Sequence, residues 1–146
     1  MRESLATIVS QLDEIGLTYE ISKDRYVSSR IPTRLRGDLP VLIEVGERTA
    51  VVRAFIMRAP DRDADEVYRR ALRRNLDGSA WSFAVDDDGD VFLVARLTVA
   101  SRPGPQADEM LGQLSVLVDE TYEGLMRAGF DVPRDAHVGP PPGARV

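Results

Sequence analysis

The most constraining feature of the sequence is a nine-residue run, TAVVRAFIM, at residues 49–57. Residues that are β-branched or aromatic dominate the run, which is typical of a strand. Successive side chains of a strand point to opposite faces. The two faces here comprise Val52, Ala54 and Ile56, and Val51, Phe55 and Met57. A strand that is apolar on both faces is usually central, with something covering each side.

Hairpins and helices surround this strand. Residues 17–22 form a short strand. Residues 40–45 alternate in polarity and pair with residues 49–57 through a short GER turn, and residues 80–85 and 90–100 form a second hairpin. Apolar spacing predicts helices over about 4–15, 60–75 and 106–129. Residues 23–38 predict no long element, because Pro32 and Gly37 interrupt them. The order α-β-β-β-α-β-β-α predicts an α+β fold, with an antiparallel sheet of about five strands and helices mainly on one face.

Length and composition suit one domain. We expect residues 1–130 to form it, and the Pro/Gly-rich residues 131–146 to be a flexible tail. The N-terminal residues do not resemble a signal peptide, and no run is long and apolar enough for a membrane span, so we expect a cytoplasmic protein. There is no cysteine, which excludes thiol catalysis and cysteine-zinc sites, and the single histidine, His137, lies in the tail. We expect no cofactor and no metal.

A cluster of aspartates, VDDDGDVF at residues 85–92, raises the question of a metal site. Aligning Gly89 with the glycine of an EF-hand calcium loop puts Ala84 and Ala95 at its two essential acidic positions, so that register fails. Asp and Gly between alternating apolar residues are instead typical of a tight hairpin turn, which is the interpretation that we favour.

An alternative is a small metal-dependent phosphatase. The segment resembles the first motif of haloacid-dehalogenase-like phosphatases, in which Asp86 would be the nucleophile and Asp88 the acid/base. Asp90 stands where that motif has threonine or valine, and no lysine follows Lys23 to balance the charge. That fold also needs a parallel sheet after the motif, which the predicted order does not provide.

A second alternative is a nucleic-acid-binding regulator. The cluster Arg69–Arg74 places four arginines on one predicted helix, which could bind a nucleic acid or an acidic protein. Asp65 and Glu66 lie at helical spacing from several of them, however, and the chain carries a net charge of −5. We therefore expect a solvated helix face, and the net negative charge of the chain argues against nucleic-acid binding.

The apolar side chains of the two long strands indicate a partner surface. Three helices can cover only one face of the sheet, which leaves the other face to a protein partner or a second copy, or to residues 23–38 folding over it. The predicted partner surface consists of Val51, Phe55, Met57, Phe92 and Val94.

Several motifs resemble the YbjN-like family, whose fold is similar to that of type III secretion chaperones. A helix ends in Leu72-x-x-Asn75, a strand with Trp81 and Phe83 follows, and the last helix carries Thr121-Tyr122-x-x-Leu125. YbjN-like proteins are described as sensory-transduction regulators. Secretion chaperones of this fold are homodimers that bind an extended client segment. The resemblance therefore implies a non-enzymatic, chaperone-like or regulatory protein-binding module that acts as a homodimer, with no catalytic residues.

Overall fold

A computed structural model describes residues 2–99 and 106–132 of the chain. It contains three helices and six strands in the order α-β-β-β-β-α-β-β-α. Their bounds are α1 (Arg2–Glu14), β1 (Tyr19–Ser22), β2 (Tyr26–Thr33), β3 (Gly37–Val45), β4 (Thr49–Met57), α2 (Ala64–Asn75), β5 (Ser82–Val85), β6 (Val91–Thr98) and α3 (Gln106–Gly129).

The strands form one antiparallel sheet in the order β1-β2-β3-β4-β6-β5. The predicted α+β class is confirmed, and β4 lies centrally as its two apolar faces indicate. The sheet has one strand more than the predicted order, because residues 23–38 contain β2. Pro32 fits there because β1 pairs with β2 only as far as Ser29, so one side of β2 is free of a neighbouring strand at the proline. Gly37, with φ of 85°, closes the turn into β3.

The helices cover one face of the sheet. Alternate residues of β3 and β4 are buried on that face, while the residues between them are half-buried or exposed. Helix α3 packs on β2 and β4 and supplies the largest helical share of the core. Its buried side chains are Leu114, Leu117, Val118, Tyr122, Leu125 and Met126.

Helix α2 buries a narrower stripe than the one that its apolar spacing predicts, which comprises Ala64, Val67, Tyr68, Ala71 and Leu72. Val67 and Ala71 are buried, but Leu72 is 64% exposed, although helical spacing places it in the apolar stripe. The reason is position: α2 packs on β5 at the edge of the sheet and on α3, so only one side of the helix meets the core.

A buried arginine holds the end of the central strand. Arg36 is only 1% exposed, and its Nε donates to the carbonyl oxygen of Ile56 at 3.2 Å. Its Nη1 donates to the carbonyl oxygen of Asp38 at 2.6 Å. The register of β4 against β6 shifts between Phe55 and Met57, so Ile56 has no paired residue on β6. Arg36 therefore satisfies a carbonyl at the irregularity, and burial lowers the pKa of its guanidinium.

Two other predictions concern the C-terminal tail and the membrane. Residues 133–146 of the predicted tail, including His137, lie outside the described residues. Among the described helices, none combines the length and the apolar character that crossing a membrane requires.

Candidate binding surface

We call the face of the sheet opposite the helices the open face. Its centre is apolar. Four of the five predicted partner residues lie there: Val51 and Phe55 on β4, and Phe92 and Val94 on β6. Phe55 is directly opposite Phe92, and their rings meet edge to face at a centroid distance of 5.5 Å. All four side chains are half-buried, although none of the three described helices covers them. The structure thus brings together residues from two separate strands into one apolar patch.

Met57 does not belong to this patch. It is fully buried, whereas simple alternation from Val51 and Phe55 places it on the open face. The register shift between Phe55 and Met57 turns the strand by one residue, so Met57 pairs with buried Val91 and faces the core. The prediction that Met57 belongs to the partner surface is therefore wrong.

A groove of about 750 Å³ runs across the open face next to the aromatic pair. Pro40 and Leu42 of β3 form part of its floor, and Leu42 is 38% exposed. The sequence interpretation missed both residues, although alternation held the signal. Val41, Ile43 and Val45 form the core side of β3, so the residues between them must face the other way.

Charged side chains surround the apolar centre. Glu44 accepts from Arg25 at 2.8 Å and lies 3.6 Å from Arg53. Arg30 lines the groove from β2, and Arg96 extends from β6 opposite Val51. The apolar patch with a charged rim resembles the anatomy of protein interfaces more than that of a closed catalytic pocket.

The aspartate cluster forms the predicted hairpin turn. Asp86 Oδ1 accepts from the backbone N–H groups of Asp88 and Asp90, each at 3.0 Å, and the Gly89 N–H donates to the Asp86 carbonyl oxygen. Gly89 has φ of 84°, and its own carbonyl accepts from the Tyr68 hydroxyl at 2.9 Å. The turn is thus fixed by its own side chains and by α2.

Carboxylate oxygens of Asp86, Asp88 and Asp90 lie within 4.8 Å of one another, a spacing that a hard cation accepts. Two of these carboxylates already have structural roles, because Asp90 Oδ1 also accepts from the Ala59 N–H at 2.8 Å. The sheet in the described residues is antiparallel throughout, so the motif lacks the parallel sheet of the phosphatase fold.

The arginine cluster of α2 divides into two pairs. Arg70 is bound to Glu66 at 2.9 Å, and Arg74 is bound to Glu120 and Asp77. Arg69 and Arg73 instead line a shallow groove with Leu72 and Leu76, which are 64% and 89% exposed. We call this second exposed apolar surface the α2 ridge, defined by Tyr68, Leu72 and Leu76. The sequence interpretation missed it, because helical spacing assigns Leu72 to the core.

The residues that carry the family resemblance have structural roles. Asn75 at the end of α2 accepts from the Phe83 N–H at 2.7 Å and donates to the Phe83 carbonyl at 3.2 Å, which joins the helix to β5. Buried Trp81 donates through Nε1 to the Met110 carbonyl at 2.9 Å, which joins the β5 segment to α3. These contacts fix the fold rather than perform chemistry.

A match to a protein family covers the residues that make these contacts. The sequence model of the YbjN family matches residues 4–126, which is most of the chain. The chain belongs to the YbjN family. That family is described as "Putative bacterial sensory transduction regulator".

Curated relatives of this YbjN-family chain include proteins from mycobacteria. Uncharacterized protein Rv0487 of Mycobacterium tuberculosis is 31% identical over 100 residues, covering 68% of this chain and 55% of that protein. Uncharacterized protein ML2442 of Mycobacterium leprae is 33% identical over 100 residues, covering 68% of this chain and 54% of that protein. The chain thus matches only about half the length of these relatives.

Solved structures with a similar fold include YbjN itself and secretion chaperones. YbjN from E. coli has a TM-score of 0.56 at 18% identity, covering 82% of this chain and 92% of that chain. The Yersinia pestis type III secretion chaperone SycH, in complex with a fragment of YscM2, has a TM-score of 0.55 at 18% identity, covering 80% and 98%. The HopA1–SchA chaperone–effector complex gives 0.58 at 8% identity, covering 84% and 98%. These likenesses show the predicted secretion-chaperone-like fold.

Proposed function

We propose that this YbjN-family chain is a non-enzymatic protein-binding module of the chaperone type, which binds an extended segment of a partner protein on the open face. The observation that carries the proposal is a sheet face that none of the helices in residues 2–99 and 106–132 covers, with Phe55 and Phe92 at its centre and Leu42 exposed beside them. Contiguous apolar surface of this kind marks interaction sites in soluble proteins.

The similar structures support the proposal by analogy of fold. SycH is in complex with a fragment of YscM2, and SchA is in a chaperone–effector complex. A sheet with one free face gives a partner segment both an apolar floor and a polar rim. Regulation through such binding is consistent with the family description, and a cytoplasmic location is part of the proposal.

The lack of catalysis is also part of the proposal. The groove of the open face is lined by Arg30, Arg53 and Glu20 as its charged groups, and Glu20 is exposed on an edge strand. Catalytic carboxylates usually lie in clefts that exclude water, which an exposed edge position does not provide. Asp86 and Asp90 are engaged in fixing a turn.

Site-specific photo-crosslinking tests the proposed surface. A benzoylphenylalanine at position 42 places the reactive group on the open face, and the same residue at position 116 places it on α3, on the helical side. Leu42 and Val116 are 38% and 57% exposed, which makes them matched positions. We expect a discrete protein adduct in the native host from position 42 and none from position 116. Equal adducts from both positions, or adducts from position 116 alone, would contradict the assignment.

A second copy is the other partner that we propose, and the α2 ridge is the surface that favours it. Leu72 and Leu76 are the most exposed large apolar side chains of the described residues. Helix α2 carries Asp65 in its first turn and Arg73 in its last turn. Two copies that meet with antiparallel α2 helices therefore bring opposite charges together while burying the leucines. A homodimer formed in this way leaves both open faces accessible.

Sedimentation equilibrium tests the homodimer. We expect the wild type to be dimeric at micromolar concentration and the double variant Leu72→Ser/Leu76→Ser to be monomeric with unchanged circular dichroism, because both side chains lie outside the core. The matched control is Val116→Ser, an exposed apolar residue on α3, which we expect to stay dimeric. A monomeric wild type, or a dimeric double variant, would exclude the α2 ridge as the dimer interface.

A further inference from the structure

The open face carries arginines at three places around its apolar centre. Arg30 lies on β2 opposite Pro40, and Arg53 lies on β4 between Leu42 and Val94. Arg96 lies on β6 opposite Val51. All three are exposed, and residues directly opposite one another in an antiparallel sheet share a face. Arg30 and Arg53 line the groove itself, whereas Arg96 lies at the far end of the patch and also borders a second pocket with Glu109 of α3.

The acidic side chains of the same face do not cancel these arginines. Glu44 is bound by Arg25 and lies near Arg53, so one carboxylate is shared by two cations. Among the described residues, Arg30 and Arg96 have no carboxylate within 4.0 Å. Counting Arg25, the face holds four arginines against Glu20, Asp38 and Glu44, in a chain whose net charge is −5. The open face is therefore positive relative to the rest of the protein.

This charge pattern selects among possible occupants. A second copy placed face to face would bring arginines against arginines, and like charges across an interface are unfavourable. A basic segment would meet the same repulsion. A segment with apolar side chains flanked by carboxylates fits both the groove and its rim, since guanidinium groups bind carboxylates in a bidentate manner.

We propose that the open face selects acidic, apolar segments of partner proteins, with Arg30, Arg53 and Arg96 as the residues that determine this specificity. The inference rests on the proposed function, which requires only that the face bind a protein segment. Carboxylates flanking the apolar side chains of the segment would bind the arginines, while the apolar side chains contact Leu42, Phe55 and Phe92. The rim charges then set selectivity, and the apolar centre supplies contact area.

Selection from a display library of random peptides tests the inference on the full chain. The readout is the mean net charge of the enriched peptides relative to the input library. Three proteins are compared: the wild type, the triple variant Arg30→Glu/Arg53→Glu/Arg96→Glu, and the control Arg34→Glu/Arg70→Glu/Arg127→Glu. The control changes the net charge equally, but its positions lie in the β2–β3 turn and on the helices. Circular dichroism and urea unfolding verify that each variant is folded.

The wild type and the control are expected to enrich peptides that are apolar and negatively charged. The open-face triple variant is expected to bind the best of these peptides at least about tenfold more weakly, because an exposed ion pair changes affinity by about 1.5- to 5-fold and three are reversed. Replacing the glutamates and aspartates of that peptide with lysine should invert the preference.

Two results would overturn the inference, and they differ in what they say of the proposed function. Enriched peptides with the net charge of the input library, or equal affinity in the open-face triple variant, would refute acidic selectivity and leave protein binding intact. No enrichment by the wild type would contradict the binding of extended segments itself, and the inference with it.

Discussion

Replacing Arg36 separates the role of its shape from the role of its charge. Arg36 is 1% exposed, and its guanidinium donates to the carbonyls of Ile56 and Asp38 and lies 5.9 Å from the centroid of the Phe55 ring. No hydrogen-bond partner for its Nη2 is found among the described residues. Arg36→Met and Arg36→Lys both lose the planar fork, but lysine keeps the buried charge and methionine removes it. If the positive charge stabilises the protein only through the hydrogen bonds of the fork, Arg36→Met should destabilise it less than the conservative Arg36→Lys.

The magnitudes follow from what each variant leaves buried. Methionine leaves the Ile56 carbonyl unpaired, which costs about 1–3 kcal/mol, but it removes a buried charge and so recovers part of that cost. The Asp38 carbonyl is only partly buried and can bind water. Lysine keeps the charge, is more strongly hydrated than arginine, and cannot reach both carbonyls with a fixed fork. We expect a loss of about 1–2 kcal/mol for Arg36→Met and about 2–4 kcal/mol for Arg36→Lys.

Urea unfolding followed by tryptophan fluorescence measures both losses, because Trp81 is buried in the core. The control is Arg34→Met in the same turn, where the side chain is exposed, and we expect a change within about 0.5 kcal/mol. A smaller loss for Arg36→Lys than for Arg36→Met would refute the reasoning, since it would show that the positive charge, not the fork, holds the end of β4.

Three further predictions concern the β5–β6 turn and the core. Gly89→Ala should destabilise the protein by at least about 2 kcal/mol, because φ is 84° and the new Cβ would lie 2.9 Å from the Tyr68 hydroxyl, whereas Gly78→Ala, with φ of 77° and open space, should cost about 1 kcal/mol. Similar losses in thermal unfolding would contradict the contact with Tyr68. Asp86→Ala should cost about 1 kcal/mol and Asp88→Ala less than about 0.5 kcal/mol, because Asp86 alone accepts two backbone N–H groups of the turn; the reverse ranking would contradict this. Burial raises the pKa of Tyr122 above its ordinary value, so the unfolded state loses the phenolic proton at a lower pH than the folded state does. Above about pH 10 the ionisation of Tyr122 should therefore lower the free energy of unfolding by about 1.4 kcal/mol per pH unit, and below that pH Tyr122 should not change it. Tyr122→Phe should remove that part of the slope in alkaline urea titrations, and an unchanged slope would show that Tyr122 is not its source.

The β3–β4 and β5–β6 hairpins and all three described helices could be predicted because their signals are local. The Asp-Gly turn at 88–89 specifies the β5–β6 hairpin by its own hydrogen bonds, and the regular apolar spacing specifies α3. Strand β2 could not be predicted, because Pro32 breaks a strand unless one of its sides has no neighbour. That condition depends on how far β1 extends along β2, which is only as far as Ser29 and is a property of the assembled sheet.

The binding surface shows the same division between local and distant causes. Alternation placed Val51 and Phe55 correctly, but the register shift beyond Phe55 buries Met57, and the sequence carries no mark of that shift. The α2 ridge was missed because apolar spacing shows only that Leu72 shares a face with other apolar residues. Whether that face meets the core depends on the helix lying at the edge of the sheet.

The central claim is that a partner segment lies on the open face, and amide NMR shift mapping tests it most directly. A display-selected peptide is titrated into isotope-labelled full-length protein. We predict that the largest shift changes lie in β3, β4 and β6, around Leu42, Phe55 and Phe92, with little change in α3 around Val116. Shift changes concentrated on the helices, with the open face unaffected, would contradict the account.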